Sequence, residues 1–309
     1  MRYVLGFDGG GTKTDCVLMD ESGAILARSR SGPSNPSRVP LDFAYAALVE
    51  AMDKALESGG KSAMDVASVC GAIAGAGLAT AIPEFHRRLQ IKFPSATIFV
   101  DTDLSMALSA TGESPSLVAI AGTGSAVIGR DACGTLAREG GFGPVLGDPG
   151  SAYDVGRKAM ILCLSQGRAG ENSYLANEIL DAFKCNWIEL QAQIRAHPDG
   201  VLTKIFPIVA KAANEGDESA RGLLRSAAEE LAGFVKRVVE RLNLQNEPFF
   251  LAKTGGVFNR SAHLDRHFDE LVREIAPKTR IGPLPTPVAE FAALCAVNCL
   301  DSLVRKVKS

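Results

Sequence analysis

The chain has 309 residues, of which 46% are hydrophobic and 22% are charged, and its formal net charge is −2. This length suffices for two ordinary domains, and the composition is that of a soluble globular protein. There is no basic run, and the chain has only one Trp and four Tyr, so we expect neither nucleic acid nor an anionic membrane as a partner. No apolar run approaches the length of a membrane span, and the N-terminus enters a strand directly, unlike a signal peptide.

The seven cysteines are scattered and include no C-x-x-C pair. This pattern predicts free thiols in a reducing compartment, hence a cytoplasmic protein, rather than disulfides or a zinc site. Cys295 and Cys299 lie one helical turn apart, which favours core packing. His263 and His267 have the same spacing, but nothing else converges on them, and we interpret them as a solvated helix face.

In chain order, the first third alternates strands with helices. Strands are predicted at 3–7, 14–20, 24–29, 68–74 and 97–100, and helices at 42–59 and 82–93. Asp42 is predicted to cap the first helix, and Gly59-Gly60 to end it. The order βββαβαβ, with continuous apolar strands, predicts a mixed sheet with helices on both faces.

The pattern then restarts, with predicted strands at 117–121, 126–130 and 135–139. In both copies a glycine, a hydrophobic strand and a Leu-Ala-Arg segment follow a Gly/Thr turn, which predicts an internal duplication. The rest is mainly helical. Helices are predicted at 151–166, 171–183, 201–214, 218–242, 264–275 and 288–307, a strand at 248–254 and a stiff turn at 282–287.

The first hairpin carries the most informative motif of the chain. An apolar strand runs through Asp8 into a triple glycine at 9–11, and Thr12 and Lys13 follow before the next strand. Glycines let such a turn expose its backbone N–H groups, and successive N–H groups form an anion site to which a hydroxyl and a cation add. Asp8 is suited to hold a divalent cation, directly or through water. The motif therefore predicts ATP with Mg²⁺.

Two better-known phosphate loops do not match this hairpin. A P-loop needs adjacent Gly and Lys before a helix, whereas Thr12 separates Gly11 from Lys13 and a strand follows. The dinucleotide fingerprint needs a glycine where Thr14 stands. An ordinary glycine-rich turn is the alternative interpretation.

Six segments together resemble the actin/hexokinase/Hsp70 ATPase superfamily and, within it, the N-acetylglucosamine kinase branch grouped with the BadF/BadG/BcrA/BcrD ATPases. They are residues 7–14, 34–36, 101–103, 122–125, 140–153 and 254–258. The resemblance implies an α/β fold of two duplicated ribonuclease-H-like (actin-like ATPase) domains, each a mixed five-stranded sheet flanked by helices, with extra helices in the second. We predict a sugar-binding N-terminal domain at 1–114 with 288–309, and a C-terminal domain with the adenosine site at 115–287.

The resemblance also implies how ATP binds between these domains. The phosphates are expected on the two Gly/Thr hairpins and the adenosine against a late pair of glycines. The cofactor-binding residues are then Gly10, Gly11, Thr12, Lys13, Thr123, Gly124, Gly255 and Gly256, with Asp8 as the metal residue.

The sugar hydroxyl is implied to sit over an aspartate at the end of a first-domain strand, which matches Asp103. Phosphoryl transfer to an alcohol needs a carboxylate that orients the hydroxyl and takes its proton, so we predict Asp103 as the catalytic base. Asp101 is its near rival, and both aspartates also suit helix N-caps. Asn35 and Asp148 match family residues that hydrogen-bond the sugar, and Gly141 belongs to a loop that approaches it; a turn asparagine and a loop carboxylate are the alternatives.

The chain departs from the family pattern around the sugar site. Pro149 stands where members commonly have Glu, Asp154 where many have an aromatic residue, and residues 289–291 are bulkier than the usual small pair. These three departures leave open which sugar is used. The chain also has no Cys/His zinc cluster of the kind found in the bacterial repressor/sugar-kinase group, and no cysteine at 122–125 or 140–150 that could hold an iron–sulfur cluster, which argues against those relatives.

The leading hypothesis is a cytoplasmic kinase that phosphorylates N-acetylglucosamine at O6, with glucosamine and N-acetylmuramic acid as related acceptors. The alternatives are an ATPase that drives a partner protein and a sugar-sensing regulator, for which we see no DNA-binding segment. The apolar late helices suit a homodimer.

Overall fold

The computed structural model describes residues 1–75, 81–144, 146–168 and 173–307. The chain forms two compact units, Met1–Gly112 with Pro285–Ser309, and Glu113–Leu284. Two parts of the sequence predictions lie outside the described residues: positions 171–172 of a predicted helix, and Val145 of the segment 140–153.

The first unit is built on one five-stranded sheet. Its strands are β1 (Tyr3–Gly9), β2 (Thr14–Asp20), β3 (Ile25–Ser31), β4 (Val66–Ile73) and β5 (Thr97–Thr102), and its helices are α1 (Leu41–Ser58), α2 (Ala81–Lys92), α3 (Asp103–Ser109) and α10 (Val288–Val307). The strand order is β3-β2-β1-β4-β5. The β1–β2 and β2–β3 pairs are antiparallel, whereas β1–β4 and β4–β5 are parallel.

The inner strands β1, β2 and β4 of this sheet are buried on both faces. Leu5 and Phe7 of β1 belong to a core that also holds α1 and α2 residues. Val4, on the opposite face, packs in a second core with Ala292 and Ala296 of α10. Successive side chains of a strand point to opposite faces, so burial on both sides explains why these strands are continuously apolar.

The second unit repeats this plan. Its strands are β6 (Ser116–Ala121), β7 (Ser125–Arg130), β8 (Leu136–Gly140), β9 (Phe250–Thr254) and β10 (Arg280–Pro283), and its helices are α4 (Ala152–Arg168), α5 (Tyr174–Phe183), α6 (Trp187–Ala196), α7 (Pro198–Asn214), α8 (Glu218–Arg241) and α9 (Ala262–Ile275). Read from β8, the order is β8-β7-β6-β9-β10. This is the order of the first sheet, with three antiparallel strands followed by two parallel ones. The predicted duplicated fold, with extra helices in the second half, is confirmed.

Several local predictions were incomplete or wrong. Helices α3 and α6 were not predicted, nor was strand β10 (residues 280–283), which pairs with β9 and includes residues 282–283 of the predicted stiff turn. Asp42 does not cap α1, because Pro40 occupies the cap position without a side-chain bond; instead Asp42 accepts a hydrogen bond from Arg88 of α2 at 2.6 Å. A strand at the edge of a sheet can form from a short polar segment once a partner strand supplies the hydrogen bonds, which local sequence does not reveal.

None of the helices in the described part of the chain is both long enough and apolar enough to cross a membrane.

Candidate functional site

The first hairpin closes with the turn that the sequence predicted. Strand pairing runs out to Gly9 opposite Thr14, and Gly10 N donates to Lys13 O at 2.9 Å, with Gly11 and Thr12 between them. The base of the hairpin is held by the hydroxyl group of Thr14, which was given no role in the sequence analysis. Thr14 Oγ1 lies 2.7 Å from Ser34 Oγ and 2.8 Å from the Gly32 carbonyl oxygen.

This bracing is fully buried, since neither Thr14 nor Ser34 is exposed. Ser34 N also donates to Gly10 O at 3.1 Å. The hairpin tip and the segment around Ser34 are therefore held as one piece. In the sequence, the visible sign of this Thr14–Ser34 contact is a threonine on each side of Lys13.

Lys13 is drawn to the side of the hairpin by an ion pair. Its Nζ lies 2.6 Å from Asp15 Oδ2, while Arg30 Nε lies 2.6 Å from Asp15 Oδ1. Burial raises the pKa of Asp15, but the bonds from Arg30 and Lys13 outweigh it and lower the pKa overall. Asp15 is thus ionised and holds two cations beside the turn.

Asp8 and Asp103 form a pair of interacting carboxylates at the predicted metal and base positions. Burial raises the pKa of Asp8 to about 7, and the charges of Asp103 and then Asp15 add to this effect, against Lys13. A desolvated carboxyl group beside the charge of a second one favours either protonation or a bound cation. The two predicted residues are therefore near enough in the fold for their charges to interact.

Asp103 lies at the first position of α3, directly after β5. The helix is capped by Thr102, whose Oγ1 accepts from Ser105 N at 3.2 Å. Neither aspartate is the cap, so the alternative interpretation of Asp101 and Asp103 as N-caps is wrong. Asp101 Oδ1 instead accepts from the next backbone nitrogen, Thr102 N, at 2.6 Å.

The carboxylates of Asp8 and Asp103 fit magnesium only if water or substrate oxygens complete its coordination. Among the described residues there is no group of three or more His, Cys, Asp or Glu side chains placed to hold a metal ion. Mg²⁺ is usually held in proteins by one or two carboxylates, with water and substrate phosphates completing the coordination. Asp8, with Asp103 beside it, is compatible with that mode of binding.

Asn35 is buried and its amide is oriented. Its Oδ1 accepts from Ser37 N at 2.9 Å and from Ser37 Oγ at 2.6 Å. A backbone N–H can only donate, which decides which end of the amide faces Ser37. Within the described residues Nδ2 makes no hydrogen bond, so Asn35 presents a directed donor, as a sugar-binding asparagine requires.

In the second unit, the turn Gly122–Gly124 lies at a junction of three segments. Gly122 N donates to Gly124 O at 2.8 Å, and Ala152 N at the start of α4 donates to Gly122 O at 2.8 Å. Val257 N, after the late glycine pair, donates to Ala121 O at 2.9 Å. The structure thus brings the predicted residues Thr123 and Gly124 close in the fold to the predicted adenosine segment.

The predicted sugar loop is tied to the same junction. Gly141 N donates to Ser125 O at 2.8 Å, and Ser125 Oγ donates to Pro149 O at 2.7 Å. Asp148 is only 3% exposed and has a φ of 61°, in the left-handed region. Pro149, the departure from the family pattern, therefore anchors the loop through its carbonyl oxygen.

Asp154, the second departure, is a buried organiser of this loop. Its Oδ2 accepts from Gly150 N at 3.1 Å and lies 2.7 Å from Lys158 Nζ, and its Oδ1 lies 3.0 Å from Arg157 Nη2. Burial raises the pKa of Asp154, but the Lys158 and Gly150 bonds lower it overall. Where an aromatic residue would only pack, this carboxylate bonds the loop directly.

We expect Asp154→Asn to lower the free energy of unfolding by about 1 kcal/mol at pH 7, since the amide keeps the Gly150 bond but loses both cations. The folded pKa lies below the ordinary value, so this contribution is present above about pH 4. It is lost as the pH falls through the lowered folded pKa. Denaturant unfolding at pH 7 and pH 3 should therefore show the difference between the proteins shrink with acid.

Glu50→Gln serves as the matched control, because the Glu50–Lys54 pair is about half exposed on both sides and such pairs contribute little. A deficit in Asp154→Asn that stayed constant from pH 7 to pH 3 would contradict the assignment.

The repeated sheet and its glycine hairpins define the class of the protein, an actin-like ATPase fold of the kind shared by hexokinase-type kinases. A Chromobacterium violaceum structure described as a candidate N-acetylglucosamine kinase is 23% identical, with a TM-score of 0.76 over 95% of this chain and 98% of that one.

A family model described as the BadF/BadG/BcrA/BcrD ATPase family matches residues 5–290, and the chain belongs to this family. The N-acetylmuramic acid/N-acetylglucosamine kinase of Clostridium acetobutylicum is 31% identical, over 97% of this chain and 100% of the relative. The N-acetyl-D-glucosamine kinase of Dictyostelium discoideum is 28% identical, over 95% and 97%.

Proposed function

We propose that the protein transfers the γ-phosphoryl group of ATP to an amino sugar, with O6 of N-acetylglucosamine as the acceptor. That the chain is a sugar kinase follows from its curated relatives, which match it over nearly its whole length. The choice of sugar and of hydroxyl, the base and the metal are our proposals. A cytoplasmic location and a homodimer stay predictions.

The observation that carries the proposal is the Asp8–Asp103 pair beside the first hairpin. A kinase of this kind must place a proton acceptor and a metal-binding carboxylate close to the phosphate site. Asp8 ends its strand next to the glycine turn, and Asp103 is near enough to raise its pKa. Asp103 is thereby assigned as the proton acceptor and Asp8 as the metal-binding carboxylate, and both belong to the first unit.

In this mechanism Asp103 orients the sugar hydroxyl and accepts its proton as the oxygen attacks phosphorus. The carboxylate belongs to the first residue of α3, directly after the Thr102 cap. Asp8 would hold Mg²⁺, which supplies charge balance on the phosphates. The backbone N–H groups of the hairpin at Gly11 and Thr12 bind the phosphate oxygens, since that of Gly10 already bonds Lys13 O.

Sugar recognition in the first unit is assigned to Asn35, whereas Gly141 and Asp148 stay sequence predictions. We expect Asn35→Asp to raise the KM for the sugar about tenfold and to leave the KM for ATP unchanged. The new carboxylate still accepts from Ser37 but has no N–H for the sugar. Steady-state kinetics with each substrate varied in turn gives the two constants, and a change confined to the KM for ATP would contradict the role.

The test of the proposal is ADP release with Mg²⁺·ATP and a panel of N-acetylglucosamine, N-acetylmuramic acid, glucosamine and glucose. We expect strong stimulation by N-acetylglucosamine, with the product shown to be the 6-phosphate by ³¹P–¹H NMR. A preference for N-acetylmuramic acid or glucosamine would correct the acceptor only. Slow turnover that no sugar changes would overturn the kinase proposal and favour an ATPase coupled to a partner protein.

A further inference from the structure

Arg38 lies against the glycine hairpin of the first unit, although it is far from the hairpin motif in sequence. A Cβ added to Gly11 would lie 3.1 Å from Arg38 Cδ, 3.3 Å from Nε and 3.8 Å from Cζ. The guanidinium group therefore packs on the backbone of the turn. A side chain at position 11 would need Arg38 to shift by a few tenths of an ångström.

The segment that carries Arg38 is built to hold this position. Arg38 N and Val39 N both donate to Asn35 O, at 3.0 and 3.1 Å. The Asn35 side chain closes the same turn through Ser37, and Ser34 N bonds back to Gly10 O. One short turn thus fixes Asn35, the proposed sugar ligand, and delivers Arg38 to the hairpin.

Arg38 adds a second cation to the hairpin, beside the lysine of the motif. Lys13 is paired with Asp15, which also holds Arg30, so part of its charge is neutralised beside the turn. A guanidinium group offers several N–H donors in a fixed plane, which matches phosphate oxygens better than an ammonium group does. Next to exposed backbone N–H groups, such a cation completes an anion site.

We propose that Arg38 is a further nucleotide-binding residue, which binds a phosphate group of ATP or ADP on the hairpin at residues 9–13. This rests on the proposed function only in taking that hairpin as the phosphate site. Arg38 is then the second cation of the phosphate site, and it belongs to the same turn that orients Asn35. The phosphate and sugar ligands of this unit then share one structural support.

The proposal is tested on the full chain by calorimetric titration with Mg²⁺·ADP and, separately, with adenosine. Arg38→Met keeps the length of the stem and removes the charge. We expect it to weaken ADP binding about tenfold or more and to leave adenosine binding unchanged, because only ADP carries phosphates. Arg38→Lys should fall between the two. Arg87→Met, on an exposed arginine of α2 paired with Glu84, is the matched control and should bind both ligands as the unaltered protein does.

Equal ADP affinity in Arg38→Met, or an equal loss for ADP and adenosine, would overturn the proposal. Should this variant fail to fold, Arg38→Gln replaces it with the same expectations, and failure of both to fold would show a structural role instead. ADP binding needs no acceptor sugar. If the kinase proposal alone failed, ADP affinity would therefore still depend on Arg38. If the protein phosphorylated a sugar but its ADP affinity did not depend on Arg38, this inference alone would fail.

Discussion

Asp103→Asn is expected to lower kcat about a thousandfold while changing the KM for ATP little. The amide has the shape of the carboxylate and can still orient a hydroxyl group, but it cannot take the proton. Helix α3 should still form, because its N-cap is Thr102, and denaturant unfolding of the variant checks that the fold is retained. Single-turnover kinetics would place the loss in the phosphoryl-transfer step.

Asp101→Asn is the matched control for this prediction. Asp101 lies two residues earlier on β5, and its Oδ1 accepts from Thr102 N, a bond that an amide oxygen can keep. We expect its kcat to stay within a few-fold of the unaltered protein. If Asp101→Asn lost a thousandfold and Asp103→Asn did not, the rival aspartate would be the base.

Gly255→Ala is expected to destabilise the second unit by about 2–5 kcal/mol. Gly255 has a φ of 105°, which a residue with a Cβ rarely adopts. A Cβ there would also lie 2.2 Å from the Ala121 carbonyl oxygen. Both obstacles are backbone atoms or backbone angles, so no side-chain rearrangement can relieve them.

Gly256→Ala, one residue later, provides the contrast. A Cβ at position 256 meets nothing within 4 Å among the described residues, so we expect the denaturation midpoint to change little. If the adenosine lies against this pair, as proposed, the added methyl group should instead raise the KM for ATP several-fold. Equal loss of stability in both variants would contradict the structural argument, and an unchanged KM in Gly256→Ala would remove Gly256 from the adenosine site.

Much of the fold could be predicted because its signals are local. Strands buried on both faces are continuously apolar, and β1, β2 and β4 were predicted within two residues of their bounds. Strand β10 and helix α6 were missed for different reasons. The four-residue β10 depends on its partner β9, and α6 is short and only weakly amphipathic, with Leu190 as its buried residue.

The motifs selected candidate residues but not the contacts around them. Asn35 was chosen from a motif, but the bonds that orient its amide come from Ser37, and the cap of α3 is Thr102 rather than Asp101 or Asp103. Motifs preserve the chemistry of a side chain, whereas its orientation depends on neighbours that the motif does not contain.

The sequence by itself determined the βββαβαβ plan of the first unit, the restart of that plan in the second and the glycine turn after β1, because glycine spacing and strand burial leave local traces in the chain. Only the tertiary structure decided that the charge of Asp103 raises the pKa of Asp8, that Asp154 accepts a hydrogen bond from Gly150 N, and that Arg38 packs on Gly11. The Asp8–Asp103 and Arg38–Gly11 interactions join segments that are distant in the sequence and meet only in the folded chain. The Asp154–Gly150 bond is local, but it depends on the conformation of the loop. Residue spacing alone does not encode these distances.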